Sequence, residues 1–114
     1  MKNFAQVPIT SNIRNTTPVN SNSYSIDGYQ QKSLVLMNGL DQAVNVTIQY
    51  SPDNTTFYAI GSPINIAASK NDVFIDSTVP ALRLIKGWLK FTATAAGTPT
   101  TGTFKLELQL NLGS

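Results

Sequence analysis

Residues 102–112 read GTFKLELQLNL, and the fold turns on how they are read. Phe104, Leu106, Leu108, Leu110 and Leu112 recur at every second position, opposite Thr103, Lys105, Glu107, Gln109 and Asn111. A strand sends successive side chains to opposite faces, so this spacing builds one apolar and one polar face. A helix would scatter the same leucines around its circumference. The spacing predicts a half-buried β-strand.

The same period recurs upstream. AVNVTIQY (43–50) sets Val44, Val46, Ile48 and Tyr50 against Asn45, Thr47 and Gln49. SYSIDGY (23–29) puts Tyr24 and Ile26 on one face before an Asp-Gly turn, and SLVLMN (33–38) is a continuous apolar run that suits a strand covered on both faces. TFYAI (56–60) and INIAA (64–68) read as two more strands; DVFID (72–76) sets Val73 and Ile75 opposite Phe74. ALRLIKGWLKFTATAA (81–96) overlaps most with a helical pattern. Its Gly87, its Thr and aromatic content and the alternating Leu82 and Leu84 favour a long strand that bends or bulges near Lys86 and Gly87. About seven to eight short strands with turn signals between them predict an all-β chain, a single antiparallel β-sandwich over 23–114. Greek-key and jelly-roll orders both fit.

Residues 1–22 differ. Phe4, Val7, Ile9, Ile13 and Val19 are scattered among Asn, Ser, Thr and two prolines without sustained period. This reads as an extended N-terminal arm, lying either against its own domain or against a neighbour.

Composition narrows the chemistry. A chain of 114 residues is one domain, large enough to bury roughly two-thirds of its unfolded surface. It has no cysteine, which excludes disulfides and thiolate metal sites, and no histidine, the commonest general base and metal ligand. Charged residues are 12%, so the surface is polar but mostly neutral. The net charge of +2 comes without a run of cations to follow a phosphate backbone, and no nucleic-acid partner is expected. The N-terminal stretch lacks the apolar core of a secretory signal and no segment approaches the ~20 apolar residues of a membrane helix, so synthesis in the cytoplasm and no membrane partner are expected. The sequons at Asn15, Asn45 and Asn54 read as chance matches in an Asn- and Thr-rich chain.

Each candidate site has a plainer explanation. Ser51, Pro52, Asp53 and Asn54 are turn formers, and a lone carboxylate supplies too few ligands for a cation site. Asp72 and Asp76 on one strand would stand roughly 13 Å apart, too far for a paired-carboxylate centre. Arg83, Lys86 and Lys90 near Trp88 and Phe91 could hold a single strand of nucleic acid, but an aromatic entering the core, with Trp88 as anchor, explains them as well. ATAAGTPTTGTF (93–104) has glycines in neither a dinucleotide nor a P-loop spacing. No catalytic centre, metal or cofactor is expected.

VTIQYSPDNTTFYAI (46–60), ALRLIKGWLKFTATAA (81–96) and PTTGTFKLELQLN (99–111) together resemble small β-sandwich structural proteins of tailed-phage virions and related prophage regions. The likeness is one of turns and strands over roughly 34–111; residues 1–22 lie outside it, and Asn54 stands where Gly is common. It implies a non-enzymatic virion protein: a capsid decoration or cement protein, or another head, tail or neck subunit. Its expected partners are copies of itself, a trimer among the forms, and the major capsid or tail protein. The expected contact is the arm, through Phe4, Val7, Ile9, Ile13 and Arg14. Two other classes share the sandwich: a subunit of a self-assembling extracellular fibre of the spore-appendage kind, whose families tend to use cysteines, and a carbohydrate-binding module. The last would array Tyr24, Tyr29, Tyr50, Tyr58 or Trp88 on one face.

Overall fold

Two antiparallel sheets packed face to face hold these strands in the computed structural model, which describes residues 3–75 and 78–111. The strands are β1 (Asn3–Ser11), β2 (Val19–Asn20), β3 (Tyr24–Ser25), β4 (Gln31–Asn38), β5 (Val44–Ser51), β6 (Tyr58–Ile66), β7 (Lys70–Phe74), β8 (Trp88–Ala95) and β9 (Phe104–Asn111). The first sheet runs β1-β9-β4-β7; the second runs β2-β8-β5-β6, with β3 also paired to β8.

Counted as one interrupted strand, β2 and β3 leave eight, and the chain changes sheet at nearly every connection. This is the double Greek key of a jelly roll, the choice that periodicity alone leaves open. The core lies between the sheets. Alternate residues of β9 (Phe104, Leu106, Leu108, Leu110), β8 (Leu89, Phe91, Ala93, Ala95) and β5 (Val44, Val46, Ile48) point into it and are buried. Each fully buried Leu, Ile, Val or Phe contributes about 1.5–3 kcal/mol relative to exposure. Leu112 lies outside the described residues.

Residues 1–22 belong to this sandwich over most of their length. β1 pairs antiparallel with β9, from Asn3 opposite Asn111 to Ser11 opposite Phe104. Between Gln6–Leu108 and Ile9–Leu106 it carries Val7 and Pro8 against the single Glu107, a β-bulge. The bulge shifts the side-chain parity by one, and Ile9 enters the core; Ile13 follows it, each only 3% exposed. Of the two expectations, the segment lies against its own domain, and no boundary at residue 22 separates it from the sheets.

Three other expectations change. TFYAI and INIAA are one strand, β6, in which Gly61, Ser62 and Pro63 lie between the pairs Val46–Ile64 and Ile48–Ile60 as a bulge. Proline, lacking an N–H for the ladder, is tolerated because β6 is an edge strand. Residues 81–87 are not strand: Pro80–Arg83 form a 3-10 turn, η1, that buries Leu82, and β8 starts only at Trp88. Gly87 explains the break. Its φ is +102°, a Cβ there would stand 2.6 Å from Ser51 O, and its N–H donates to the Asp27 carboxylate at 2.7 Å. Finally, β4 is covered on one face only: Lys32, Leu34, Leu36 and Asn38 are buried, while Ser33, Val35 and Met37 are half-buried on a face with no second layer.

Asn38 ties the two sheets. Its Nδ2 donates to the carbonyls of Gln42 (3.0 Å), Ile66 (3.2 Å) and Ala67 (3.1 Å), and its Oδ1 accepts the Leu40 N–H at 3.0 Å. Lys32, also buried, donates from Nζ to Tyr29 O at 2.9 Å.

Candidate functional site

The Ser-Pro-Asp-Asn tip between β5 and β6 spends its chemistry on itself. Asp53 Oδ1 accepts from Ser51 Oγ (2.9 Å), Thr55 N–H (2.9 Å) and Thr56 N–H (3.1 Å). The Thr56 and Thr55 amides, then the Ser51 hydroxyl, hold its carboxyl below the usual carboxylate range. Asn54 adopts φ +59°, the left-handed geometry for which Gly and Asn are suited. The tip is a hairpin turn. A second carboxylate, Asp41, is likewise lowered, first by the Thr100 hydroxyl and then by the Thr100 N–H at 2.9 Å, and so joins two loops.

The residues expected to make an assembly contact divide. Ile9 and Ile13 are inside their own domain and cannot reach a neighbour. Arg14 Nη1 donates to Ile13 O and Gly102 O, both at 2.9 Å, and so braces its own loop against the β8–β9 loop. Val7, in the bulge of β1, is 42% exposed and keeps a face to solvent. The backbone of Phe4 pairs with Leu110, and its side chain lies outside the described residues.

The basic-aromatic group does not converge either. β8 alternates, so Phe91 is buried while Trp88 and Lys90 share the outer face, and Trp88 is half-buried there rather than a core anchor. Lys90 Nζ sits 4.6 Å from the centroid of the Phe57 ring. The rest of that outer face is neutral: Thr92 donates to Asn20 Oδ1 at 2.8 Å, and Asn65 to Asn45 Oδ1 at 2.9 Å. Tyr24, Tyr29 and Tyr50 pack against the core instead of forming a platform; Tyr58 is 58% exposed. Asp72 is on β7, and Asp76 lies outside the described residues. An open cleft of about 490 Å³, bordered by Lys32, Ser33, Ile75, Gln109 and Asn111, has no described carboxylate in its lining. Among the described residues no three His, Cys, Asp or Glu side chains gather as a metal set, and no helix is long and apolar enough to cross a membrane.

What the surface does offer is sheet edges, and most are blunted. An unpaired edge templates another strand, and proteins guard it with prolines, bulges, short strands or charges. β1 has Pro8 and its bulge, β6 has Pro63 and its bulge, and β2 and β3 are two residues each. β7 has no proline and no bulge; it carries one charge of each sign, Lys70 and Asp72, and leaves Val73 58% exposed and Ile75, just beyond it, 50% exposed. Sequence alone does not reveal this edge, because neighbours in a sheet are set by chain order in space.

No protein-family model matches the chain, and no curated protein is similar to it in sequence. Among solved structures, the PBSX exported protein XepA superimposes with a TM-score of 0.74 at 14% identity, covering 97% of this chain and 38% of that one. A chain of the T13 particle of infectious bursal disease virus superimposes at 0.51 and 10% identity, covering 96% and 30%. A chain of the disulfide-linked Bacillus endospore appendages reaches only 0.46 at 14% identity, covering 98% and 88%. This chain spans less than two-fifths of the first two proteins, and at these identities the likeness is one of fold.

Proposed function

We propose that this chain is a non-enzymatic structural subunit of a phage-type particle, a capsid decoration protein or another head or tail component, associating through its sheet edges with copies of itself and with the major shell or tail protein. The observation that carries this reading is the jelly roll, which occupies nearly the whole chain and superimposes on an exported phage protein and, less closely, on a chain of a viral particle. Jelly rolls recur in viral capsid domains, as they do in lectins. The described surface fits such a role: the outer face of the β2-β8-β5-β6 sheet is largely neutral and polar, and the exposed carboxylates Asp41 and Asp53 hold neighbouring amides and hydroxyls. A carbohydrate-binding module is less well supported, since three of the four tyrosines turn to the core.

Mass spectrometry of particles purified from the organism that encodes the chain tests this. The chain is expected in the particle fraction at fixed stoichiometry to the main shell or tail protein. Recovery only from the particle-free fraction would overturn the virion reading.

A further inference from the structure

We infer that the free edge of β7 is a self-association site, where a second copy of this chain adds its own β7 antiparallel in a register centred on Asn71. This deepens the reading of the chain as an assembly subunit and rests on it.

The edge is correctly oriented for pairing. Gly39 donates its N–H to Thr103 O at 2.9 Å, on the β9 side of β4. Strict alternation then turns Leu34, Leu36 and Asn38 toward β7, where they face Phe74, Asp72 and Lys70. Asn71 and Val73 therefore direct their backbone groups away from the sheet. An independent contact agrees: the Val73 N–H is held by Asp72 Oδ1 at 2.8 Å, which places that donor away from the β4 ladder. The side chains of Asn71 and Val73 extend the uncovered face of Val35 and Met37.

Charge selects the occupant and the register. Lys70 and Asp72 flank Asn71 and are both exposed. In an isologous antiparallel pair centred on Asn71, Lys70 of each copy stands opposite Asp72 of the other, giving two reciprocal ion pairs at the closely spaced, non-hydrogen-bonded positions. Asn71 exchanges both of its backbone hydrogen bonds with Asn71 of the second copy. A register centred on Asp72 would instead oppose two carboxylates. The result joins two four-stranded sheets into one continuous sheet. A five-residue edge is a small interface, and particle assembly would amplify it through multivalency.

The chain has no cysteine, so crosslinking has a clean background. In this register the two Asn71 Cα atoms stand about 5.5 Å apart, within the roughly 4.4–6.8 Å that a disulfide spans. Asn71→Cys is expected to form covalent dimer under mild oxidation roughly tenfold or more faster than Val7→Cys on the bulged β1 edge, because pairing raises the local thiol concentration. Adding Asp72→Lys should abolish that advantage, and the swapped pair Lys70→Asp with Asp72→Lys should restore it. These positions are exposed, and circular dichroism checks that each variant keeps its fold. Equal rates for Asn71→Cys and Val7→Cys, or failure of the charge swap to restore crosslinking in folded protein, would overturn the β7 pairing. Particle fractionation of the unmodified chain reports separately on the virion reading.

Discussion

Deleting residues 1–22 removes β1 and β2 and, with them, two core side chains, Ile9 and Ile13, each 3% exposed. Ile→Ala in a packed core costs about 2–5 kcal/mol, so the two sites together represent about 4–10 kcal/mol. A domain of this size has only about 5–15 kcal/mol in all. Truncation also strips the β9 ladder of its partners from Asn3 to Ser11 and opens the edge beside Leu106 and Leu108. The truncated chain is therefore expected to lose cooperative folding, while Ile9→Ala and Ile13→Ala each lower the urea midpoint by the equivalent of about 2–5 kcal/mol with little change in slope. The assay is urea denaturation followed by fluorescence of the single tryptophan, Trp88, with near-ultraviolet circular dichroism for the truncated chain. A truncated chain that unfolds at the same urea concentration as the full chain would refute the reasoning and return residues 1–22 to the status of an arm.

Three further outcomes are expected. Gly102→Ala should destabilise by about 2–5 kcal/mol in chemical denaturation, because φ is +91° and its Cβ would stand 1.9 Å from Gly39 O. Asn54→Gly should leave the melting temperature unchanged or raise it slightly, whereas Asn54→Val at φ +59° should cost about 1–2 kcal/mol; equal stability of the two variants would contradict the left-handed turn. The folded pKa of Asp53 is depressed, so its stabilisation is present above the unfolded value of about 3.9 and is lost as pH falls through the lower folded value. Thermal melts of the parent and Asp53→Asn should accordingly differ at pH 7 and converge in strong acid; a gap that persisted unchanged there would show that the carboxylate's charge is not what holds the turn.

Strand identity was legible wherever the period of two ran unbroken, as in β5 and β9. It failed in β1 because Val7 and Pro8 lie opposite one residue, so Gln6 pairs with Leu108 but Ile9 with Leu106, and the apolar positions change parity in mid-strand. It failed again over 81–87, where Leu82 and Leu84 have strand spacing but a 3-10 turn also brings Leu82 into the core. The expectation of Trp88 as core anchor fails because the phase of β8, fixed by Leu89, Phe91 and Ala93, turns it outward.

The sequence by itself determined the all-β class, the hairpin at Asp53 and the lack of cysteine and histidine, because alternation, turn chemistry and composition are local properties of the chain. Only the tertiary structure decided the jelly-roll order, the docking of β1 on β9 and the exposure of the β7 edge. Those depend on pairings between residues far apart in sequence, from Asn3 with Asn111 to Phe74 with Leu34, which the closing of the sheets selects and no local pattern encodes.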